Sequence, residues 1–423
     1  MPLCLRGRKH GGNAEIFFRF YIKDENTMLS RRQFLKTAAL GTGAAAASLI
    51  SGQVRSEEPE TVRIGYLPIT DATPLLIAHA NGYFRDEGLQ TEKPVKIRDW
   101  STLSESFLSG KFNLVHLLLP IPIWMRYHLR APAKIMAWDH TNGSAITVGA
   151  DTDIRGFADL GGRQIAVPYW YSMHNIILQM GLRKVGLKPV IRSQTGSLKP
   201  DEVNLFVLPP PEMPVALAAK KIDGFTVAEP FNAFAEIKIR AKILRFTGDI
   251  WKNHPCCVVV MNENLIRSKP VFTQKVINAI VRSQLWTSDN MSETADILSR
   301  DYLPAPADVV RRVFTGYANL PEYGKGSVPQ AIVHPEWNIG RIGFQPWPYP
   351  SATRFILDQM RQTLMEGDKT FLEKLSPDYV VKDLVDYQFV KHAIMEAGGP
   401  GKFASHDFGD SWDREETVEL QVF

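Results

Sequence analysis

From residue 61 the chain repeats one pattern: a short apolar run of strand length, a turn, then a segment of helical period. TVRIGY (Thr61 to Tyr66) reads as a strand, and PLLIAHANGYF opens a helix. Thr73 is the expected N-cap there, with Pro74 in the first turn, where a missing N–H costs nothing. PVKIRDW (Pro94 to Trp100) reads as a second strand, and Thr102 with Glu105 as a capping box for a helix that stops at Gly110. NLVHLL, KIMAWDH and AITVGA (Ala145 to Ala150) follow as third, fourth and fifth strands. Buried strands alternating with helices predict an α/β lobe around a largely parallel sheet.

The alternation restarts near Asp151. Gln164 to Val167 reads as a strand, Ser172 to Val185 as a helix, and VNLFVLP, GFTVAEP and KILRF as further strands, with the helix MPVALAAKKID among them. CCVVVMN then reads as a strand returning to the first lobe. From Ser268 onward the signals are mostly helical, whereas PEWNIGRIGFQPWPYP, rich in proline and aromatics, reads as an ordered loop. A chain of 423 residues is long enough for two separate cores. The expected division is a leader over 1–56, a first lobe from 57–150 with 255–320, a second lobe over 151–254, and a helical extension over 321–423 packing on the first lobe.

The leader carries an address. SRRQFLK (Ser30 to Lys36) with the weakly apolar TAALGTGAAAASLI has the form of a twin-arginine export signal. It lies unusually far from Met1, so Met28 is the expected initiator, with cleavage near Ala47 to Ser56. Export in the folded state to the periplasm follows, or a membrane tether if the signal is retained. Three cysteines, Cys4, Cys256 and Cys257, provide no disulfide framework, and cleavage leaves two. With 49 basic and 45 acidic residues, the net charge of +4 gives no ground for nucleic-acid binding.

Catalytic signatures are missing: no GxSxG, Walker loop, HExxH or CxxC, and no GxGxxG after a strand. Polar and aromatic residues instead recur at strand ends and helix starts in both halves: Tyr66, Trp100, His140, Tyr171 with Ser172, and Glu229. In open α/β sheets ligands sit beyond the carboxyl ends of strands, and two such lobes facing each other make a clamp.

TVRIGYLPITDATPLLIAHANGYFRDEGL, DLGGRQIAVPY, LPPPEMPVALAAKKIDGFTVAEPFNAFA and GDIWKNHP resemble periplasmic solute-binding proteins for nitrate, bicarbonate, sulfonates and thiamine pyrimidines, closest to the nitrate/bicarbonate branch. The resemblance covers about residues 61–290. It implies a two-lobe type II periplasmic binding protein fold with two crossover strands and a helical C-terminal part. It implies no catalysis and no cofactor: a monomer captures a small-molecule ligand by lobe closure and hands it to the membrane permease of an ABC transporter. By motif position, Trp100 matches the aromatic after the second strand, and His140 replaces a glutamine. Tyr169 or Tyr171 corresponds to a histidine of the branch, and Ala228 and Glu229 to the small residue and acid before proline. Cys257 stands where nitrate binders have lysine and bicarbonate binders glutamate. The ligand set so implied is Tyr66, Trp100, His140, Tyr169, Tyr171, Ser172, Ala228, Glu229 and Cys257, with no metal among it.

Two other readings stay open. An enzyme related to thiamine-pyrimidine synthesis would echo a cysteine-rich motif. A metal receptor would use His254, Cys256 and Cys257 with His140 or His174. Against the second, neighbours on a strand point to opposite faces, so Cys257 is expected to face the ligand and Cys256 to pack.

Overall fold

Two mixed sheets organise the chain, and each contains one strand that arrives from the other. The computed structural model describes residues 60–315, 331–403 and 412–420, which belong to the compact unit Glu58–Phe423. The twin-arginine motif, Met28 and the cleavage region lie outside the described residues. Among the described residues no helix is long and apolar enough to cross a membrane.

The strands of the two sheets are, in chain order, β1 (Ile64–Tyr66), β2 (Val95–Lys96), β3 (Leu114–Leu118), β4 (Ala133–Trp138), β5 (Ser144–Val148), β6 (Gln164–Val167), β7 (Lys188–Val190), β8 (Glu202–Val207), β9 (Gly224–Ala228), β10 (Lys242–Phe246) and β11 (Cys257–Asn262). The first sheet has the order β2-β1-β3-β11-β4 and the second β7-β8-β6-β9-β5-β10. In the first, β1 pairs parallel with β2 and β3, while β11 runs antiparallel between β3 and β4. In the second, β7, β8, β6 and β9 are parallel and β5 lies antiparallel to β9 and β10.

The strand expected to complete the first lobe, Ala145 to Ala150, therefore belongs to the second sheet, and the chain crosses before Ser144 and not at Asp151. An apolar run says that a strand is buried, but not which of two sheets buries it. The return strand β11 does lie in the first sheet, as its position predicted.

Two helix starts also differ. The helix Trp100–Leu108 begins earlier than the Thr102–Glu105 box implied, because Asp99 is its cap and accepts from the Thr102 N–H at 2.9 Å. Thr73 is the first residue of its helix, with Ala72 in the cap position. The loop Pro335 to Pro350 is not free of strand: Ile342–Gly343 pairs with Thr141–Asn142 on the outgoing crossover.

The C-terminal helices grip both halves. Arg126 makes a two-pronged ion pair with Asp383, at 2.6 and 2.7 Å. Gln179, on the helix Met173–Lys184 of the second half, donates to the Leu364 carbonyl at 2.8 Å and accepts from its N–H at 2.7 Å. This segment thus packs on the second lobe as well as on the first, where the sequence suggested the first alone.

The outgoing crossover turns at Asn142 and Gly143, with φ of 59° and 80°. Gly143 is needed twice over: its backbone is left-handed, and an added Cβ would come within 2.8 Å of the His140 ring. Gly110 has a similar φ of 78° but open space around it. Gly143→Ala should therefore cost more stability than Gly110→Ala, by about 1 kcal/mol or more in chemical denaturation. Equal losses would mean that the imidazole contact is immaterial.

Candidate functional site

The carboxyl ends of the two sheets meet. Leu118 at the end of β3 is opposite Cys257, and Trp138 at the end of β4 is opposite Val258, so the start of β11 lies where the parallel strands finish. Across from it, Ser144 at the start of β5 is opposite Ala228 at the end of β9. The halves touch directly: the Thr70 N–H donates to the Glu229 carbonyl at 2.9 Å, and Ser144 Oγ lies 3.8 Å from Cys256 Sγ.

In this seam sits a cluster with no exposure, formed by Asp71, His140, Cys256 and Cys257. Asp71 comes from the short 3₁₀ turn after β1. His140 follows β4, on a loop whose Trp138 and Asp139 carbonyls accept from Gln284 at 2.8 and 2.9 Å. His140 Nε2 lies 2.9 Å from Asp71 Oδ2, and the Cys257 backbone nitrogen lies 3.3 Å from the same ring atom. Both thiols reach Asp71 Oδ2, Cys257 at 3.2 Å and Cys256 at 3.6 Å. From the second half, His174 Nε2 is 2.8 Å from Ser144 Oγ.

Burial alone would raise the Asp71 carboxyl, but the adjacent His140 holds it below the usual carboxylate range. The converse holds for His140: burial works against its cation, and Asp71 lifts it well above the ordinary imidazole value. The two form a buried ion pair. Burial pushes the Cys257 thiol well above its usual range, with the Cys256 contact adding to it. Burial likewise raises Asp139 and favours its protonated form. It lowers His116 to about 3 and His174 to about 4, leaving both rings neutral. Several polar atoms in this seam have no hydrogen-bond partner: Asp71 Oδ1, both Asp139 oxygens, and Nδ1 of His116 and His174, with His116 Nδ1 and Asp139 Oδ2 facing each other at 3.9 Å.

The expected ligand set divides. His140 and Cys257 come together at Asp71. Trp100 lies behind them, its ring edge-on to His116 at 5.5 Å. Tyr66 turns its hydroxyl to the Tyr302 carbonyl at 3.0 Å. Ser172 caps its helix, accepting from the Asn175 N–H at 3.0 Å and donating to the Tyr169 carbonyl at 2.7 Å. Tyr171 packs on Trp124 at 5.6 Å and Phe371 at 6.5 Å, and Tyr169 is half-buried next to it. Ala228 lies at the seam and presents only a methyl group. Glu229 is bound by its own partner, Arg341, whose Nε donates at 3.0 Å, while the Ala233 N–H donates to the other carboxylate oxygen at 3.0 Å.

Two expectations are corrected here. Cys256 does not pack away from Cys257: it precedes the strand, which starts at Cys257, so alternation does not govern it and both sulfurs face Asp71. Glu229, expected in the ligand set, already has its counter-charge, because Arg341 reaches it from the loop Pro335 to Pro350. Asp71, Ser144, His116 and Arg341 were not singled out as site residues in the sequence. Asp71 alone had a usable signal, an acid in the turn between the first strand and the first helix. His174, named only as a metal candidate, approaches the seam where the branch histidine had been assigned to Tyr169 or Tyr171.

Residues 55–299, more than half of the chain, match the NMT1-like family. The chain belongs to the NMT1-like family. This NMT1-like chain is 28% identical over 317 residues to the nitrate/nitrite binding protein NrtA of Nostoc sp., covering 69% of each. Its fold is similar to the crystal structure of the periplasmic nitrate-binding protein NrtA from Synechocystis, with a TM-score of 0.69 and 20% identity over 85% of this chain and 94% of that one. The alkanesulfonate-binding protein SsuA from Xanthomonas axonopodis bound to MOPS gives a TM-score of 0.54 at 16% identity, over 80% and 99%. The NMT1-like chain therefore has the two-lobe periplasmic binding protein fold.

Two outcomes test this geometry. Arg341→Ala leaves Glu229 buried without its counter-charge and should cost about 3–5 kcal/mol in denaturant unfolding. A loss below about 1 kcal/mol would show that the pair does not hold the seam. His174 is neutral when folded but protonates near pH 6.5 when unfolded, so acidification favours the unfolded chain over the window from about 6.5 down to about 4. The stability of the wild type relative to His174→Gln should therefore fall by up to roughly 3 kcal/mol across that window. A difference that is flat with pH would place His174 in water.

Proposed function

We propose that the chain is the solute-binding component of an ABC importer, working outside the cytoplasmic membrane and without catalysis. The observation that carries this reading is the meeting of the strand ends of both sheets on one buried seam, where Asp71 Oδ1, both Asp139 oxygens and Nδ1 of His116 and His174 lack a hydrogen-bond partner. Such atoms cost roughly 1–3 kcal/mol each when nothing satisfies them, and a captured solute is what would satisfy them. The relatives support the same reading, since their names describe binding proteins for nitrate, nitrite and alkanesulfonate. Closure then shifts a population: a solute contacting both halves favours the closed form, which a permease recognises.

The solute of this chain need not be nitrate. Position 257 carries a thiol, and the cluster's cation, His140, is already matched by Asp71, so an incoming anion meets no spare positive charge. A flat organic solute would find no stacking platform at Tyr171 either, because that ring packs on Trp124 and Phe371. The reading therefore favours a small solute held by polar groups and not by stacking. The twin-arginine motif SRRQFLK supports delivery to the periplasm in the folded state.

Native mass spectrometry of protein purified from its own periplasm, beside small-angle scattering before and after dialysis, tests the proposal. A bound small molecule whose removal expands the particle is expected. A particle that never carries a solute and never changes size would refute it.

A further inference from the structure

We propose that Asp71, His140, Cys256 and Cys257 form a four-ligand site for one thiophilic divalent cation of the zinc class, which deepens the receptor reading by naming the class of ligand its seam accepts. The four ligand atoms all lie within 4.8 Å of one another. Asp71 Oδ2 is 2.9 Å from His140 Nε2, 3.2 Å from Cys257 Sγ and 3.6 Å from Cys256 Sγ. A tetrahedral zinc ion, with bonds of about 2.3 Å to sulfur and about 2.0 Å to nitrogen or oxygen, sets its ligand atoms roughly 3.3–3.8 Å apart. The cluster thus needs only small side-chain shifts to close on an ion.

The donor set chooses the ion. Two sulfurs, one imidazole and one carboxylate suit zinc or its thiophilic neighbours, and disfavour calcium and magnesium, which take oxygen ligands. Binding is a proton exchange: the S–H bonds of Cys256 and Cys257 break as the two metal–sulfur bonds form. Those protons, and the one on His140 Nε2, leave to solvent. The positive charge of the ion then replaces that of the imidazolium beside Asp71.

A second, independent observation points the same way. The remaining Asp71 oxygen, Oδ1, is buried, faces no partner, and belongs to the same carboxylate. His140 Nδ1 lies 3.4 Å from the Thr141 carbonyl, the kind of outer contact that orients a ligating imidazole. All four ligands come from the first sheet and its loops. The site is therefore built on one half, and Ser144 with His174 from the other half closes over it.

The test uses the purified mature protein, stripped with a chelator and titrated with cobalt(II) as a spectroscopic probe, then with zinc(II). One equivalent should bind, with thiolate-to-cobalt charge-transfer absorption and the visible bands of a tetrahedral ion, and zinc should displace it. Cys256→Ser and Cys257→Ser should each weaken binding at least tenfold and reduce the charge-transfer band, while His392→Gln, at an exposed histidine outside the seam, keeps both. If the cysteine variants fail to fold, the wild-type spectrum decides: one equivalent with thiolate charge transfer sustains the site. No binding, or binding without a thiolate band, overturns it. Ion binding without any change in scattering would sink the receptor reading alone. Closure on another solute by a protein that binds no cobalt or zinc would sink the ion site alone.

Discussion

A carboxylate removed from water must be matched by charge or hydrogen bonds, and the seam of this protein is arranged around one such group, Asp71. Its match is His140, and the match holds only if two segments far apart in sequence are brought into register. Gln284 fixes the loop carrying His140 by clasping the carbonyls of Trp138 and Asp139. Gly143 lets the chain turn away without pushing the imidazole aside. The antiparallel insertion of β11 between β3 and β4 delivers both thiols to the same oxygen. Separating Asp71 from His140 would leave a buried charge unpaired, which costs several kcal/mol.

A second buried pair, Glu229 with Arg341, performs the complementary task in the other half. Glu229 follows β9, and its backbone already links the halves by accepting from Thr70 and donating to Gly143 at 2.9 Å each. Its side chain would be a liability in that position, and burial does push its carboxyl up against the opposing influence of Arg341. Arg341 directly precedes the short strand Ile342–Gly343 that pairs with the outgoing crossover, and its carbonyl accepts from the Gly143 N–H, so neutralising Glu229 and bracing the crossover are one structural act. What remains electrically available in the seam is therefore the cluster at Asp71, and this is why both functional readings converge on it.

The C-terminal helices add a constraint that a plain two-lobe clamp lacks. They hold the first half through Asp383 and the second through Leu364. Any opening of the seam has to bend this strap or release one of its two ends, which ties the range of lobe motion to contacts remote from the cluster.

The amino-acid sequence was sufficient for the class of fold. Strand-length apolar runs alternating with helical segments specify α/β layers through local periodicity, and the motifs from Thr61 to Pro255 placed the chain among two-lobe binding proteins. It was also sufficient to bring His140 forward as a candidate, from its place at a strand end, and Cys257, from its match to the charged position of the resembled branch. It did not decide that Ser144–Val148 joins the second sheet, because burial of a strand is local and its choice of partners is not. Nor did it show that Cys256 shares a target with Cys257, which depends on the strand beginning one residue later. Arg341 was beyond reach for the same reason: its role exists only once a loop more than a hundred residues downstream folds back on Glu229. Periodicity, caps and strand ends are written along the chain, whereas the pairing of buried charges is a property of the packed interior and is settled only when distant segments meet.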